Sequence, residues 1–122
     1  MRMFEVTKSG ADHYILGPVL IPDVVDGQGD IVSAAEIEKA CAFYNANSRR
    51  IFKDHKSPMS TRDAELIESY VSPAAMVIGD GHRVPAGSWI VKIRVSEEIY
   101  RRAQHGGIFG FSIAGRGNVE HV

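Results

Sequence analysis

Five histidines, one cysteine and a serine set in an apolar run are the side chains with the clearest chemical potential in this chain. The histidines are His13, His55, His82, His105 and His121. No two have the H-x-x-x-H or H-E-x-x-H spacing that puts two zinc ligands on one helix face, so no metal site is expected. His13 and His82 sit in turn-like contexts and read most simply as solvated groups. His105 ends a helical stretch, where a cation is favourable in any case. His55 differs, because it closes a short strand, Phe52-Lys53-Asp54-His55, just before a loop. Catalytic groups are often found where a rigid element meets a loop.

Ser112 interrupts the run Ile108-Phe109-Gly110-Phe111-Ser112-Ile113-Ala114-Gly115. On a strand it points away from Phe111 and Ile113. Gly110 and Gly115 would let another backbone approach closely. The pattern is not the G-x-S-x-G elbow, since Ala114 stands two residues on. Serine becomes a nucleophile when a base takes its proton, and a third group then orients that base. Candidate third groups are Glu68, which breaks an apolar strand, and the tail residues Glu120 and His121. From the residues alone, the plainer account makes Ser112 a solvent-facing strand serine, His55 an exposed loop residue and Glu68 a surface carboxylate.

Other chemical patterns fail on counting. Asp23, Asp26 and Asp30 hint at calcium, but from Asp26 the third position is Gln28 and the sixth is Ile31, so the EF-hand spacing is absent. Neither Gly79-Asp80-Gly81 nor Gly115-Arg116-Gly117 is followed by the Lys-Ser/Thr of a phosphate loop. Cys41 shares a helical face with Ile37 and Tyr44, which predicts a buried, inert thiol.

These residues must be positioned by short elements. Strand signals cover residues 3–6 and 14–20, with Pro18 implying an edge or a bulge. Residues 22–30 form a Gly/Asp-rich structured turn. A helix is expected over 33–47, with Ser33 and Glu36 as a capping box and Ile37, Cys41 and Tyr44 on one face. Strands follow at 50–55, 65–71 and 75–78. A turn at 79–82 favours a hairpin. Alternation of Trp89, Val91, Ile93 and Val95 with Ile90, Lys92 and Arg94 marks the clearest strand, 88–95. Ser96 caps a second helix running to about residue 104, with Glu97 and Glu98 at its start, Arg101 and Arg102 toward its end, and Gly106 or Gly107 closing it. A last strand covers about 108–114. The loop between strands 50–55 and 65–71 suits antiparallel pairing of the two, with Glu68 about three residues from the position opposite His55.

The composition describes one soluble domain, residues 1–122: 44% hydrophobic, 24% charged, with a formal net charge of −1. A chain of this size buries roughly two-thirds of its extended surface. The charge balance argues against a general nucleic-acid binder. One cysteine excludes an intrachain disulfide. The apolar stretch 15–21 contains Gly17 and Pro18 and is too short to span a bilayer. The first residues lack a secretory apolar region, so a cytosolic protein is expected. Strands and helices do not alternate regularly, which favours an α+β fold: a small, mostly antiparallel β-barrel or curled sheet of six to seven strands with two packed helices.

Leu16-Gly17-Pro18-Val19-Leu20-Ile21-Pro22-Asp23, Asp26-Gly27-Gln28-Gly29-Asp30, Asp54-His55, Ile67-Glu68-Ser69-Tyr70, Val84-Pro85-Ala86-Gly87-Ser88-Trp89 and Gly110-Phe111-Ser112-Ile113 occur in this order. In order and spacing they resemble the XkdF-like phage serine proteases, grouped with the prohead (capsid maturation) proteases of assemblin-like fold. The resemblance covers almost the whole chain. It implies a serine endopeptidase, with His55 as base and Ser112 as nucleophile, and no cofactor. Related enzymes carry the third catalytic member well after the serine, whereas only ten residues follow Ser112 here. Glu68 is therefore favoured as the orienting group, with Glu120, His121 or a segment absent from this chain as alternatives. Oxyanion donors are expected near Gly110 or Gly115. The resemblance also implies phage scaffold and major capsid proteins as substrates, homodimerisation or association with scaffold, and a location in the bacterial host cytoplasm inside the assembling prohead. Neither nucleic acid nor membrane is an expected partner. The rival expectation is a non-catalytic virion component that binds scaffold through a protease-like fold.

Overall fold

The computed structural model describes residues 3–25, 29–53, 57–79, 81–105, 111–115 and 118–121, with the backbone alone for 52–53, 57, 103–105, 111–115 and 118–121. The elements in order are β1 (Phe4–Ser9), β2 (Asp12–Leu20), α1 (Ala34–Asn47), β3 (Ile51–Lys53), β4 (Ser57–Pro58), β5 (Ala64–Val71), β6 (Met76–Ile78), β7 (His82–Val84), β8 (Trp89–Ser96), α2 (Glu97–His105), β9 (Phe111–Gly115) and β10 (Asn118–His121). The chain is α+β, and the ladders between these strands are all antiparallel. The strands form two four-stranded sheets, β1-β2-β8-β5 and β10-β9-β3-β4, and the hairpin β6-β7. Among the described residues no sheet closes on itself, so the expected barrel is seen only as open sheets.

β8 is the spine of the first sheet. Trp89, Val91, Ile93 and Val95 are fully buried in the main core with Ile37, Cys41 and Tyr44 of α1. Ile90 faces the other way, into a smaller cluster with Ile78 and Val84 of the hairpin. The sheet is thus covered on both faces at this end, which is why Ile90 breaks the apolar–polar alternation of β8. Gly79 in the hairpin turn has φ +58°, and a Cβ there would fall 2.1 Å from the Phe4 ring, so both conformation and space demand glycine.

Pro18 is tolerated because β1 pairs with β2 only as far as Leu16, which leaves Pro18 bordered by β8 alone beside a register shift at Pro18/Leu20. At the start of α1 the Glu36 N–H donates to Ser33 Oγ at 3.2 Å. The Glu36 carboxylate meets the Ser33 hydroxyl at 3.1 Å, so the reciprocal half of the box runs between side chains. Ser96 caps α2 by accepting from the Ile99 N–H at 3.3 Å. The Gly106/Gly107 cap and residues 108–110 of the expected last strand lie outside the described residues. The turn before α1 is closed by a bridge between Val25 and Ile31.

Candidate active site

The strand carrying Ser112, β9, is the second strand of its sheet. Along β3 the Cα partners are Ile51 with Ile113, Phe52 with Ser112 and Lys53 with Phe111. On the other side His121 of β10 is the partner of Ser112, and Glu120 that of Ile113. Partners in an antiparallel ladder stand with Cα atoms about 4.5–5.5 Å apart. β9 is therefore flanked by the strand that leads, three residues past Phe52 in the sequence, to His55. His55 itself, with Asp54 and Lys56, lies outside the described residues, as does Gly110.

Helix α1 packs on both β5 and β9 and so joins the two larger sheets. Its exit positions β3. The buried Tyr44 hydroxyl donates to the Arg50 carbonyl at 2.9 Å, and its ring tilts against Trp89 at 5.4 Å. Burial pushes the Tyr44 hydroxyl far above its ordinary pKa, and the Arg49 charge offsets this only in part, so the group stays a donor. The Trp89 indole N–H donates to Ser69 Oγ at 2.9 Å, and Asn45 Nδ2 to the Ser69 carbonyl at 3.0 Å. Cys41 is buried as expected, and burial raises its pKa, which keeps it a thiol.

The pairing expected for Glu68 is corrected. β5 pairs with β8, whereas β3 pairs with β4 and β9, so strands adjacent in sequence are not ladder neighbours. Glu68 stands opposite Lys92 and is exposed, with its carboxylate 3.5 Å from Lys92 Nζ.

Between β3 and β5 lies a cleft of about 300 Å³, lined by Arg49, Arg50, Ile51, Met59, Glu65 and Leu66 among others. It adjoins the candidate nucleophile strand through Ile51, whose Cα partner Ile113 is next to Ser112. Arg49 has φ +56°, a left-handed conformation at the end of α1 that glycine or asparagine would adopt more easily. Both arginines are exposed, and among the described residues neither guanidinium has a hydrogen-bond or ion-pair partner. Glu65 does have one, Arg94 Nε at 3.5 Å.

A titratable cluster missed by sequence reasoning lies where β2 and β8 meet the start of α2. His13, expected to be solvated, is buried between the carboxylates of Glu5 and Glu97, hydrogen-bonded to each through one ring nitrogen. Tyr100 stacks on its ring at 3.7 Å, nearly parallel. Burial opposes the imidazolium, but the two carboxylates outweigh it and raise the His13 pKa. The His13 hydrogen bond in turn lowers that of Glu97. The acidic first turn of α2 was a signal for a cationic partner, but nothing in the sequence pointed to His13. His82 is half-buried at the start of β7, with its ring 5.7 Å from Phe4. No group of three or more His, Cys, Asp or Glu able to hold a metal occurs among the described residues. No helix among them is long and apolar enough to cross a membrane.

The family model described as "Putative phage serine protease XkdF" matches residues 3–121. The chain belongs to this family. A member-like relative, phage-like element PBSX protein XkdF of Bacillus subtilis (strain 168), is 35% identical over 119 residues, covering 98% of this chain and 42% of that protein. Uncharacterized protein YqbD of the same strain is 39% identical over 101 residues, covering 83% of this chain and 30% of that protein. The chain thus spans less than half the length of these two relatives. No solved structure matches it.

Proposed function

We propose that this chain is the catalytic domain of a serine endopeptidase that processes phage scaffold and major capsid proteins during prohead maturation. The observation that carries the reading is the β3–β9 register, which sets Ser112 opposite Phe52 and so beside the strand leading to His55. Family membership supplies the serine protease class. In this mechanism Ser112 Oγ attacks the scissile carbonyl. His55 takes the serine proton and returns it to the leaving amine, and backbone N–H groups near Gly110 or Gly115 hold the oxyanion. For the group that orients His55, Glu68 is the weaker choice, because its carboxylate is engaged by Lys92 in the other sheet. The ladder favours His121, the Cα partner of Ser112. The same reading carries an assemblin-like fold and a location inside the assembling prohead in the host cytoplasm.

The test is incubation with the scaffold and capsid proteins of the parent phage. Wild-type protein should cleave them. Ser112→Ala and His55→Ala should each lose about three orders of magnitude or more in rate with unchanged melting temperature. Undiminished cleavage by well-folded Ser112→Ala would overturn the nucleophile assignment. Binding without cleavage by the wild type would favour a non-catalytic virion component.

A further inference from the structure

The cleft between β3 and β5 has a floor and a rim of different chemistry. Ile51 is buried and, with Met59 and Leu66, supplies apolar surface. Arg49 and Arg50 add two positive charges that no described side chain neutralises. The carboxylate in the lining, Glu65, is held by Arg94, which also binds Asp12 at 3.0 Å. The local balance therefore favours an incoming anion. Arg49 closes α1 in a left-handed cap, its N–H donating to the Tyr44 carbonyl at 3.0 Å, which fixes the backbone that carries its guanidinium beside the cleft.

We propose that this cleft is the subsite that receives an acidic side chain, Asp or Glu, of the polypeptide substrate. The aliphatic part of that side chain lies on Ile51, Met59 and Leu66, and its carboxylate takes charge-assisted hydrogen bonds from the Arg49 and Arg50 guanidiniums. Ile51 is the Cα partner of Ile113, so the cleft lies next to the strand that carries Ser112. A phosphate backbone is a poorer match, because the chain carries a net charge of −1 and a carboxylate, Glu65, stands in the lining. The inference rests on the reading of Ser112 as the nucleophile, and the experiment separates the two.

Fluorescein-labelled octapeptides of Ala, Ser and Leu, each with one Glu or the matching Gln at a scanned position, are titrated by anisotropy into the Ser112→Ala protein, which cannot turn them over. At one position Glu should bind about tenfold more tightly than Gln, as a charge-assisted contact predicts. The preference should weaken with salt. It should vanish when Arg49→Gly or Arg50→Gln is added, with no loss of melting temperature in the Arg49→Gly protein. In parallel, wild-type protein is treated with a fluorophosphonate, which reports the activated serine and does not need the cleft. Labelling of Ser112 with equal Glu and Gln affinity at every position, or an acidic preference that survives both arginine substitutions, overturns the subsite. So does the absence of binding by any peptide up to about 1 mM. An acidic preference without labelling upholds the cleft as a peptide-binding site and overturns the nucleophile.

Discussion

At one end of the first sheet, His13 lies buried between Glu5 and Glu97 with Tyr100 stacked on its ring. Between β5, two strands from β2 in the same sheet, and β3 of the other sheet, Arg49 and Arg50 rim an open cleft and have no described partner. Both regions concentrate charge. In the first, both imidazole nitrogens are satisfied within the chain, and the cluster ties β1 and β2 to the first turn of α2. In the second, the donors remain unspent and the backbone beneath Arg49 is held in a costly conformation. Burial and complete pairing mark charges that serve the fold, whereas exposure and missing partners mark charges available to a ligand. The contrast separates a structural cluster from a recognition surface without appeal to residue type, since histidine is the more usual catalytic residue.

The largest stability effect should come from the core that holds both regions. Trp89→Ala removes a fully buried indole and its bond to Ser69, and should cost about 3–5 kcal/mol in chemical denaturation. A smaller loss would mean that α1 and the first sheet are not packed as described.

His13→Asn should cost less, about 1–2 kcal/mol near pH 6, because it leaves two half-exposed carboxylates without their shared partner. The sign with pH follows from the shifts. The raised His13 pKa means that its contribution is complete below the ordinary value of 6.5 and fades as the pH rises through the folded value. The lowered Glu97 pKa means that its share is present above its ordinary 4.5 and is lost as the pH falls through the folded value. The gap in stability between wild type and His13→Asn should therefore be widest between about pH 4.5 and 6.5 and should shrink as the pH rises through the folded His13 value. A gap that widens with rising pH would break the structural assignment of this cluster.

The smallest effect has the opposite sign. Arg49→Gly should stabilise the fold by about 0.5–1 kcal/mol, since glycine adopts φ +56° without a Cβ clash. Thermal denaturation of this variant sharpens the comparison: a loss of stability would show that Arg49 serves the fold as His13 does.

What could be read in the sequence was what local spacing determines. The Ser33/Glu36 cap and the Ile37, Cys41 and Tyr44 face announced α1, the alternation from Trp89 announced β8, and the turn signal at 79–82 announced a hairpin, whose second strand, β7, takes in His82 and was not read from the sequence. What escaped was non-local. Nothing near His13 signals Glu97, 84 residues away, so a buried imidazole looked like a turn residue. Pairing of β3 with β9 joins residues such as Phe52 and Ser112, whereas a short loop argued for β5 as the neighbour. Glu68 interrupts an apolar run because it faces Lys92 across an exposed ladder face, which a single strand cannot reveal. His55 and Ser112 were picked out by position and by resemblance, and their side chains lie outside the described residues.

The central claim, that Ser112 is an activated nucleophile, is tested most directly by treating the folded wild-type protein with a fluorophosphonate near pH 8 and mapping the adduct by peptide mass spectrometry. The account predicts one adduct per chain, located on Ser112 and abolished by His55→Ala. An unmodified Ser112, or equal labelling of several serines that persists in His55→Ala, would contradict it.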